Sequence, residues 1–323
     1  MEIFGSNKTY NFMGKRLPFL ALSGILVLTS IILLFTKGVH LGIDFSGGTL
    51  VQVKYEKPAP IPQIRDILSQ HKTFEKAVVT KFGSDEEIII RIPTSTTSLG
   101  KDIGDEVRTI LKSTGTYQIR RVDIVGPKVG NALQEKGLMA LSLAIIVILI
   151  YVSFRFEIRF AIASILALIH DISIALGAIS LFNVDVNLDI LAAILTILGY
   201  SLNDTIIVFD RIREGVTTSK ETDLNKVVNE SVSMTLSRTT LTSLTTFFVV
   251  LTLYLFGGEI ISGFSFTLLV GVIVGTYSSI FIAASFLVQL NFSISKYRLA
   301  QAEKEKREKE KERLRAQFEQ GIV

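Results

Sequence analysis

The stretch LGYSLNDTIIVFDRIREG, residues 198–215, starts inside an apolar run and ends in a charged turn. The run extends from Ile190 to Phe209, and Asn203 and Asp204 lie within it. A carboxylate at the centre of a membrane helix costs roughly 2.5–3.5 kcal/mol on insertion scales. Such a group faces the interior of a helix bundle, takes a partner there and marks a functional site. This one stretch therefore points to a membrane helix carrying a functional acid.

The rest of the chain supports a membrane reading. Its 323 residues are 48% hydrophobic. Six apolar runs, 17–36, 137–154, 160–181, 190–209, 239–256 and 264–290, are each long enough to span a bilayer at about 20 residues per helix. The first run exceeds the ~7–15 residues of a signal-peptide core and is read as a retained span. The chain has no cysteine, which excludes disulfides and thiolate metal sites. The net charge of +4 is read as the positive-inside bias of a membrane protein, not as a nucleic-acid surface. Lys8, Lys15, Arg16, Arg155, Arg159, Arg211, Arg213, Lys220, Lys226 and Arg238 fall in alternate connections. The turns 182–189 and 257–263 hold Asp185, Asp189 and Glu259 but no Lys or Arg. That alternation predicts both termini in the cytoplasm. The predicted divisions are a cytoplasmic N-terminus 1–16, a first span 17–36, an exported domain 37–136, a five-helix membrane domain 137–290 and a charged cytoplasmic tail 291–323.

The exported segment has the periodicity of a small folded domain. GIDFSGGT, 42–49, is glycine-rich but lacks the G-x-x-x-x-G-K-[ST] of a phosphate loop, so its glycines are read as a turn or bulge feeding a strand. Residues 49–55 alternate as a half-buried strand, and Ile61, Ile64, Ile67 and Leu68 follow at helical spacing. Ala77–Phe82 and Glu87–Ile92 read as two strands joined through Gly83-Ser84-Asp85. Ile103, Val107, Ile110 and Leu111 mark a second helix, and Tyr117–Val125 is a fourth strand with a phase change near Arg121. The order β-α-β-β-α-β is the ferredoxin-like plan. His71 is read as a surface residue, and the domain offers no metal cluster and no nucleophile–base pair. Gly126-Pro127 interrupts regular structure and is read as a hinge between domain and membrane.

Other spans carry polar groups too. His170-Asp171, in the third, requires a partner, either in a static inter-helix hydrogen bond or in proton movement. Ser201 and Asp204 lie three apart, on one face of the fourth span. Asp210, Arg211, Arg213 and Glu214 are read as interfacial charges that pair among themselves. Arg238 is followed at +4, +7 and +8 by Thr242, Thr245 and Thr246, a polar stripe suited to a hydrated groove or to inter-helix hydrogen bonds. Two readings of Arg238 stand: it reaches Asp204, or it snorkels to lipid head groups. Gly271, Gly275, Ser279 and Ala283 form a small-xxx-small seam for close helix packing. From Lys296 to Gln320, basic and acidic residues alternate as in a solvated helix or a disordered tail.

The blocks GIDFSGGT (42–49), VGPKVG (125–130), HDISIALG (170–177), LGYSLNDTIIVFDRIRE (198–214) and SMTLSRTTLTSLTT (233–246) resemble the signature blocks of the SecF family. These are the smaller membrane subunits of the bacterial SecD–SecF protein-export complex, in the resistance-nodulation-division superfamily. The resemblance covers roughly residues 17–290. It implies an inner-membrane, non-enzymatic subunit driven by the proton gradient, without a cofactor. The implied partners are SecD as an obligate partner, a SecYEG-type channel, an unfolded preprotein on the exported side and membrane lipids. It also implies that Asp204 lies on the proton pathway and that Arg238 works with it; Asn203, Ser201, His170, Asp171 and Thr242 are secondary candidates. Two rival functions are a proton-coupled exporter of small molecules or lipids and a structural subunit that moves no protons. Superfamily exporters usually carry twelve spans and larger or paired exported domains, against six spans and one domain here.

Overall fold

Apolar residues repeat at two periods along the chain, and each period builds its own layer. In a computed structural model, which describes residues 8–93, 103–290 and 292–319, helix α1 (Arg16–Thr36) leads to a one-turn helix α2 (Ile43–Ser46). Strand β1 (Gly48–Tyr55), helix α3 (Ile61–Ser69), strands β2 (Val78–Phe82) and β3 (Ser84–Ile92), helix α4 (Ile103–Ile110) and strand β4 (Tyr117–Val125) follow. Then come the long helices α5 (Pro127–Arg155), α6 (Ile158–Leu181), α7 (Leu188–Thr218) and α8 (Leu224–Phe256). The next helix is continuous from α9 (Ser262–Ser278) through a π-helical turn, Ser279–Ala283, into α10 (Ala284–Gln289). Helix α11 (Ile294–Glu319) carries the charged tail, of which residues 320–323 lie outside the described residues, as do residues 1–7 of the N-terminal segment.

The sheet has the order β2-β3-β1-β4 with every neighbouring pair antiparallel. β1 and β2 therefore run in the same direction with β3 inserted between them, the split βαβ of the ferredoxin-like plan. Val51, Val53 and Tyr55 of β1 and Ile88, Ile90 and Ile92 of β3 point to one face, where Ile64 and Leu68 of α3 and Val107 of α4 close the core. The expected phase change in β4 is a bulge. Gln52 pairs with Arg121 and Val53 with Ile119, leaving Arg120 as the extra residue. β3 begins at Ser84, three residues before the expected start, because the tight turn at Gly83 (φ +73°) joins it directly to β2.

Among the described residues, six helices are long and apolar enough to cross a membrane. Several extend beyond the apolar runs. α5 starts at Pro127 rather than near 137, α7 continues to Thr218 rather than 209, and α8 begins at Leu224 rather than 239. Hydropathy detects the lipid-facing part of a helix, whereas these extensions are amphipathic. In the first turns of α8, Val227, Val228, Ser231, Val232 and Thr235 are buried at helical spacing among polar residues. The small-residue seam lies against α7: a Cβ at Gly271 would stand 2.2 Å from the Ile197 side chain, and one at Gly275 would stand 3.1 Å from Ser201.

At Gly126-Pro127, the expected hinge, the structure shows a helix start with close glycine contacts around it. Gly126 is the N-cap of α5 and Pro127 its first residue, where the missing N–H and fixed φ suit a helix start. Gly47 (φ +70°) backs directly onto it, since a Cβ there would stand 2.9 Å from Pro127 Cα. Gly130, one turn on, comes so close to α2 that a Cβ would stand 3.0 Å from the Phe45 carbonyl oxygen. Sheet and helix are thus locked by glycine contacts within a turn of the junction.

At the opposite end of the bundle, Asp210 pairs with Arg155 and Arg213, each at 3.0 Å, and Glu214 pairs with Arg211 at 2.6 Å, so these charges pair as expected. The N-terminal segment docks at this end through Met13 N–H donating to Asn229 Oδ1 at 2.9 Å. The tail also starts there. Arg298 donates to the carbonyls of Val216, Ser219 and Glu221 at 2.6, 2.6 and 2.8 Å, capping the last turn of α7. Beyond this root α11 is exposed, with Lys309 donating to Glu305 one turn back at 2.7 Å.

Gly271→Ala is expected to destabilise the helix bundle by about 1–3 kcal/mol through overpacking against Ile197. Gly199→Ala, on an α7 face where an added Cβ meets nothing within 4 Å, is expected to cause no loss. Thermal unfolding of the two variants in one detergent checks the contrast, and equal melting would refute the seam.

Candidate functional site

Two buried acids occupy the helix bundle, and their surroundings differ. Asp171 of α6 is fully buried and both its oxygens are engaged. Oδ1 lies 2.9 Å from His170 Nδ1. Oδ2 accepts the hydroxyls of Ser201, on α7, at 2.5 Å and Ser278, on α9, at 2.7 Å. One carboxylate thus ties three helices together. With Asp171 ionised, the His170 bond places the imidazole proton on Nδ1. His170 Nε2 is buried without a partner among the described residues. The His170 ring lies 6.1 Å from that of Tyr277, whose hydroxyl reaches α1 by donating to the Phe19 carbonyl at 2.7 Å. The π-turn of the α9–α10 helix begins immediately after Ser278. Such single turns often occur at functional sites.

Asp204 of α7 is also fully buried, but it is held much more lightly. Its Oδ2 accepts the Ser243 hydroxyl of α8 at 3.1 Å. Its Oδ1 is buried with no hydrogen-bond partner among the described residues. A proton can be added there without breaking an existing hydrogen bond. Asp171 has no such vacant oxygen.

The structure separates several residues that the sequence grouped together. Among the described residues, Arg238 forms no ion pair with Asp204 or any other acid, and it is exposed on α8. Ser243 takes the position beside Asp204, five residues further along α8 and about 7.5 Å along its axis. Asn203 is exposed on α7, turned away from Asp204. The stripe Thr242, Thr245, Thr246 does not bond to a neighbouring helix. Each of these hydroxyls donates to a carbonyl of α8 itself, Thr242 to Arg238 at 3.0 Å. The face of α8 that is buried runs Thr235, Thr239, Ser243, one residue out of phase with the stripe at Arg238. Ser243, Ser278 and Tyr277 were missed in the sequence. For Ser243 a signal existed, the four-residue spacing of Thr235, Thr239 and Ser243. Ser278 carried none, because the π-turn next to it breaks the four-residue seam. Ser201 and Asp204 do share a buried face of α7, as expected, but they serve different neighbours. No group of three or more metal-ligating side chains occurs among the described residues.

Residues 106–293 match the family described as protein export membrane protein SecD/SecF, C-terminal, and residues 32–59 match the SecD/SecF GG motif. A protein translocase subunit SecF from Helicobacter pylori is 48% identical over 323 residues, covering 100% of both chains. The chain belongs to the SecF family. A second SecF, from Vibrio alginolyticus, is 43% identical and covers 90% of this chain and 92% of its own. The crystal structure of SecDF, a translocon-associated membrane protein from Thermus thermophilus, superposes with a TM-score of 0.82 at 33% identity. It covers 90% of this chain, which spans 40% of the length of that SecDF chain. A second SecDF structure, in a super-membrane-facing form, gives a TM-score of 0.66. The GG-motif match includes Gly47 and Gly48, so in this SecF-family chain the motif's glycines are those that brace the α5 junction and start β1.

The unequal partnering of the two acids predicts unequal stability effects. Asp171→Ala removes the bonds that His170 and two serine hydroxyls make to it and is expected to cost about 3 kcal/mol, roughly 1 kcal/mol for each hydrogen bond lost. Asp204→Asn is nearly isosteric, keeps an oxygen for Ser243 and is expected to cost under about 1 kcal/mol. Melting of detergent-solubilised variants measures both; an Asp204→Asn loss equal to that of Asp171→Ala would overturn the assignment of Asp171 as the structural hub.

Proposed function

We propose that this chain is an accessory subunit of the Sec protein translocase that, with SecD, uses the proton motive force to promote preprotein export across the cytoplasmic membrane. The observation that carries this reading is the buried, unpartnered Oδ1 of Asp204, an atom placed to take up a proton. The SecF family membership supports the translocase role, and the likeness to SecDF supports SecD as the partner. The segment at Met13 and the root of the tail at Arg298 lie at one end of the bundle, and in this reading that end is cytoplasmic. The ferredoxin-like domain is then on the exported side, where it meets unfolded preprotein near a SecYEG-type channel. Lipids cover the exposed apolar faces. No cofactor enters the reaction; the proton gradient supplies the energy.

In this mechanism, protonation at Oδ1 removes the Asp204 charge. The hydrogen bond from Ser243 to a neutral acid is weaker than to a carboxylate, so the contact between α7 and α8 loosens. Arg238 is exposed on the same half of α8, ready to pair with a carboxylate when α7 and α8 shift or when SecD packs against them. A gradient of ~100 mV corresponds to about 2.3 kcal/mol per charge, enough to bias a two-state element more than tenfold. The rival structural role draws support from Asp171, whose saturated bonding suits a static tie. Asp171 and His170 are therefore assigned to holding the bundle, with Ser201 tying α7 to Asp171.

Asp204→Asn is expected to reduce the gradient-dependent part of preprotein translocation by about tenfold or more in inverted vesicles containing SecD. The assay compares matched complex levels with and without a proton gradient. Translocation equal to wild type in both conditions would assign the chain a purely structural role.

A further inference from the structure

The ferredoxin-like domain does not reach the bundle through α5 alone. It is also bonded to the first turn of α7, the helix that carries Asp204. Val186 N–H donates to the His40 carbonyl at 2.7 Å, and Gly42 N–H donates to the Val186 carbonyl at 2.7 Å, so Leu41 and Val186 form a short parallel bridge. Asp44, on α2, accepts the Leu188 N–H at 3.1 Å through Oδ2. Leu188 is the first residue of α7, so this carboxylate also complements the positive end of the helix dipole. Arg91 of β3 grips Asp185 with both terminal nitrogens. A bidentate guanidinium–carboxylate pair fixes orientation as well as distance. Both partners are about three-quarters covered, with side-chain exposures of 23% and 27%. Burial pushes the Asp185 carboxyl up from its ordinary value, while the Arg91 charge and hydrogen bond pull it back. Without Arg91 the carboxylate would lose the group that offsets its burial.

These contacts come from three parts of the domain, the segment before α2, α2 itself and the central strand β3, and they converge on residues 185–188. Asp204 lies sixteen residues after Leu188, about 24 Å along an unbroken helix. We propose that Arg91, Asp44 and Asp185, with the His40–Val186 bridge, form a strut that carries movement of α7 into the ferredoxin-like domain. They are positioning residues, which touch neither proton nor preprotein. The proposal rests on the reading above only in taking α7 as the helix that moves. It replaces flexing at Gly126-Pro127 with a rigid link: α5 fixes one point of the domain, and α7 moves another.

The chain contains no cysteine, so introduced thiols are unique within it. Spin labels at Lys54→Cys in the domain and Ile260→Cys in the loop before α9, both exposed, report domain placement in the complex with a cysteine-free SecD. One narrow distance distribution is expected with Arg91 and Asp185 intact, and a broadened or shifted one in Arg91→Ala and in Asp185→Ala. An unchanged distribution in both variants overturns the strut, whatever the proton gradient does. In the vesicle assay, Arg91→Ala is expected to reduce gradient-dependent translocation by about tenfold or more, the scale of one lost hydrogen bond to a charged group. The exchange Arg91→Asp with Asp185→Arg is expected to restore more than half of it. A disulfide between Leu41→Cys and Val186→Cys is expected to leave gradient-dependent translocation intact, because the link stays closed throughout the cycle. Loss on oxidation with recovery on reduction would show that the contact must open, and would overturn the strut. Absence of any gradient dependence in the wild type would instead refute the proton-driven reading, and the spin-label distances would still decide the strut.

Discussion

A membrane interior offers no water to a buried carboxylate, and the bundle is built around how Asp171 meets that constraint. It accepts His170 Nδ1 and the hydroxyls of Ser201 and Ser278, so three helices must come within hydrogen-bonding reach of one side chain. The glycines at 271 and 275 make this approach sterically possible, because a side chain at either position would run into α7. The π-turn that begins at Ser279 reorients the helix directly after its Asp171 contact. Removing the acid would cost three polar groups their bonds to it, in a medium where each is expensive to strand. The seam, the turn and the serines are therefore parts of one solution to one solvation problem.

Asp204 obeys the same physics but is left incompletely solved. It is as deeply buried as Asp171, yet it has one serine where Asp171 has three partners. Unsatisfied buried oxygens are rare in folded proteins, and each calls for an explanation. The two acids sit on adjacent helices, and α7 connects them: Ser201 turns to Asp171, while Asp204, three residues on, turns to α8. One face of one helix thus carries both a tie between helices and an acid with one unpartnered oxygen among the described residues. The tie joins α7 to α6 and α9, and a change at Asp204 alters the contact between α7 and α8.

Much of this was legible in the sequence, for definite reasons. Period-two alternation and turn glycines convey the strand order of the ferredoxin-like sheet, including the bulge near Arg121, because half-buried strands must alternate. Long apolar runs gave the six spans, and the price of an acid in lipid singled out His170-Asp171 and Asp204. Helix ends were misjudged where amphipathic turns continue beyond the apolar run, as in α5, α7 and α8. The facing of α8 was misjudged because Arg238 was taken as the reference for its polar face. A threonine in a membrane helix can satisfy its hydroxyl on its own backbone, as Thr242 does, so a row of threonines does not by itself identify the face that meets a neighbour. The role of Gly126-Pro127 depended on Gly47, some eighty residues earlier in the chain, and no local pattern conveys such a contact.

Long-range pairing also decides what α7 is for. The helix has 31 residues and is about 46 Å long. Its first turn is bonded to Asp44, and the loop before it to Arg91 and His40; its middle carries Ser201 and Asp204; its last turn is capped by Arg298 from the root of the tail. Every functional layer of the chain touches this one element. A helix of that length with unbroken backbone hydrogen bonds bends little, so displacement at its centre appears at both ends. A flexible linker at the α5 junction would have absorbed such a displacement. With glycine contacts at the α5 junction and hydrogen bonds at the start of α7, the domain is held at two points, so a displacement of α7 relative to α5 tilts it as one body.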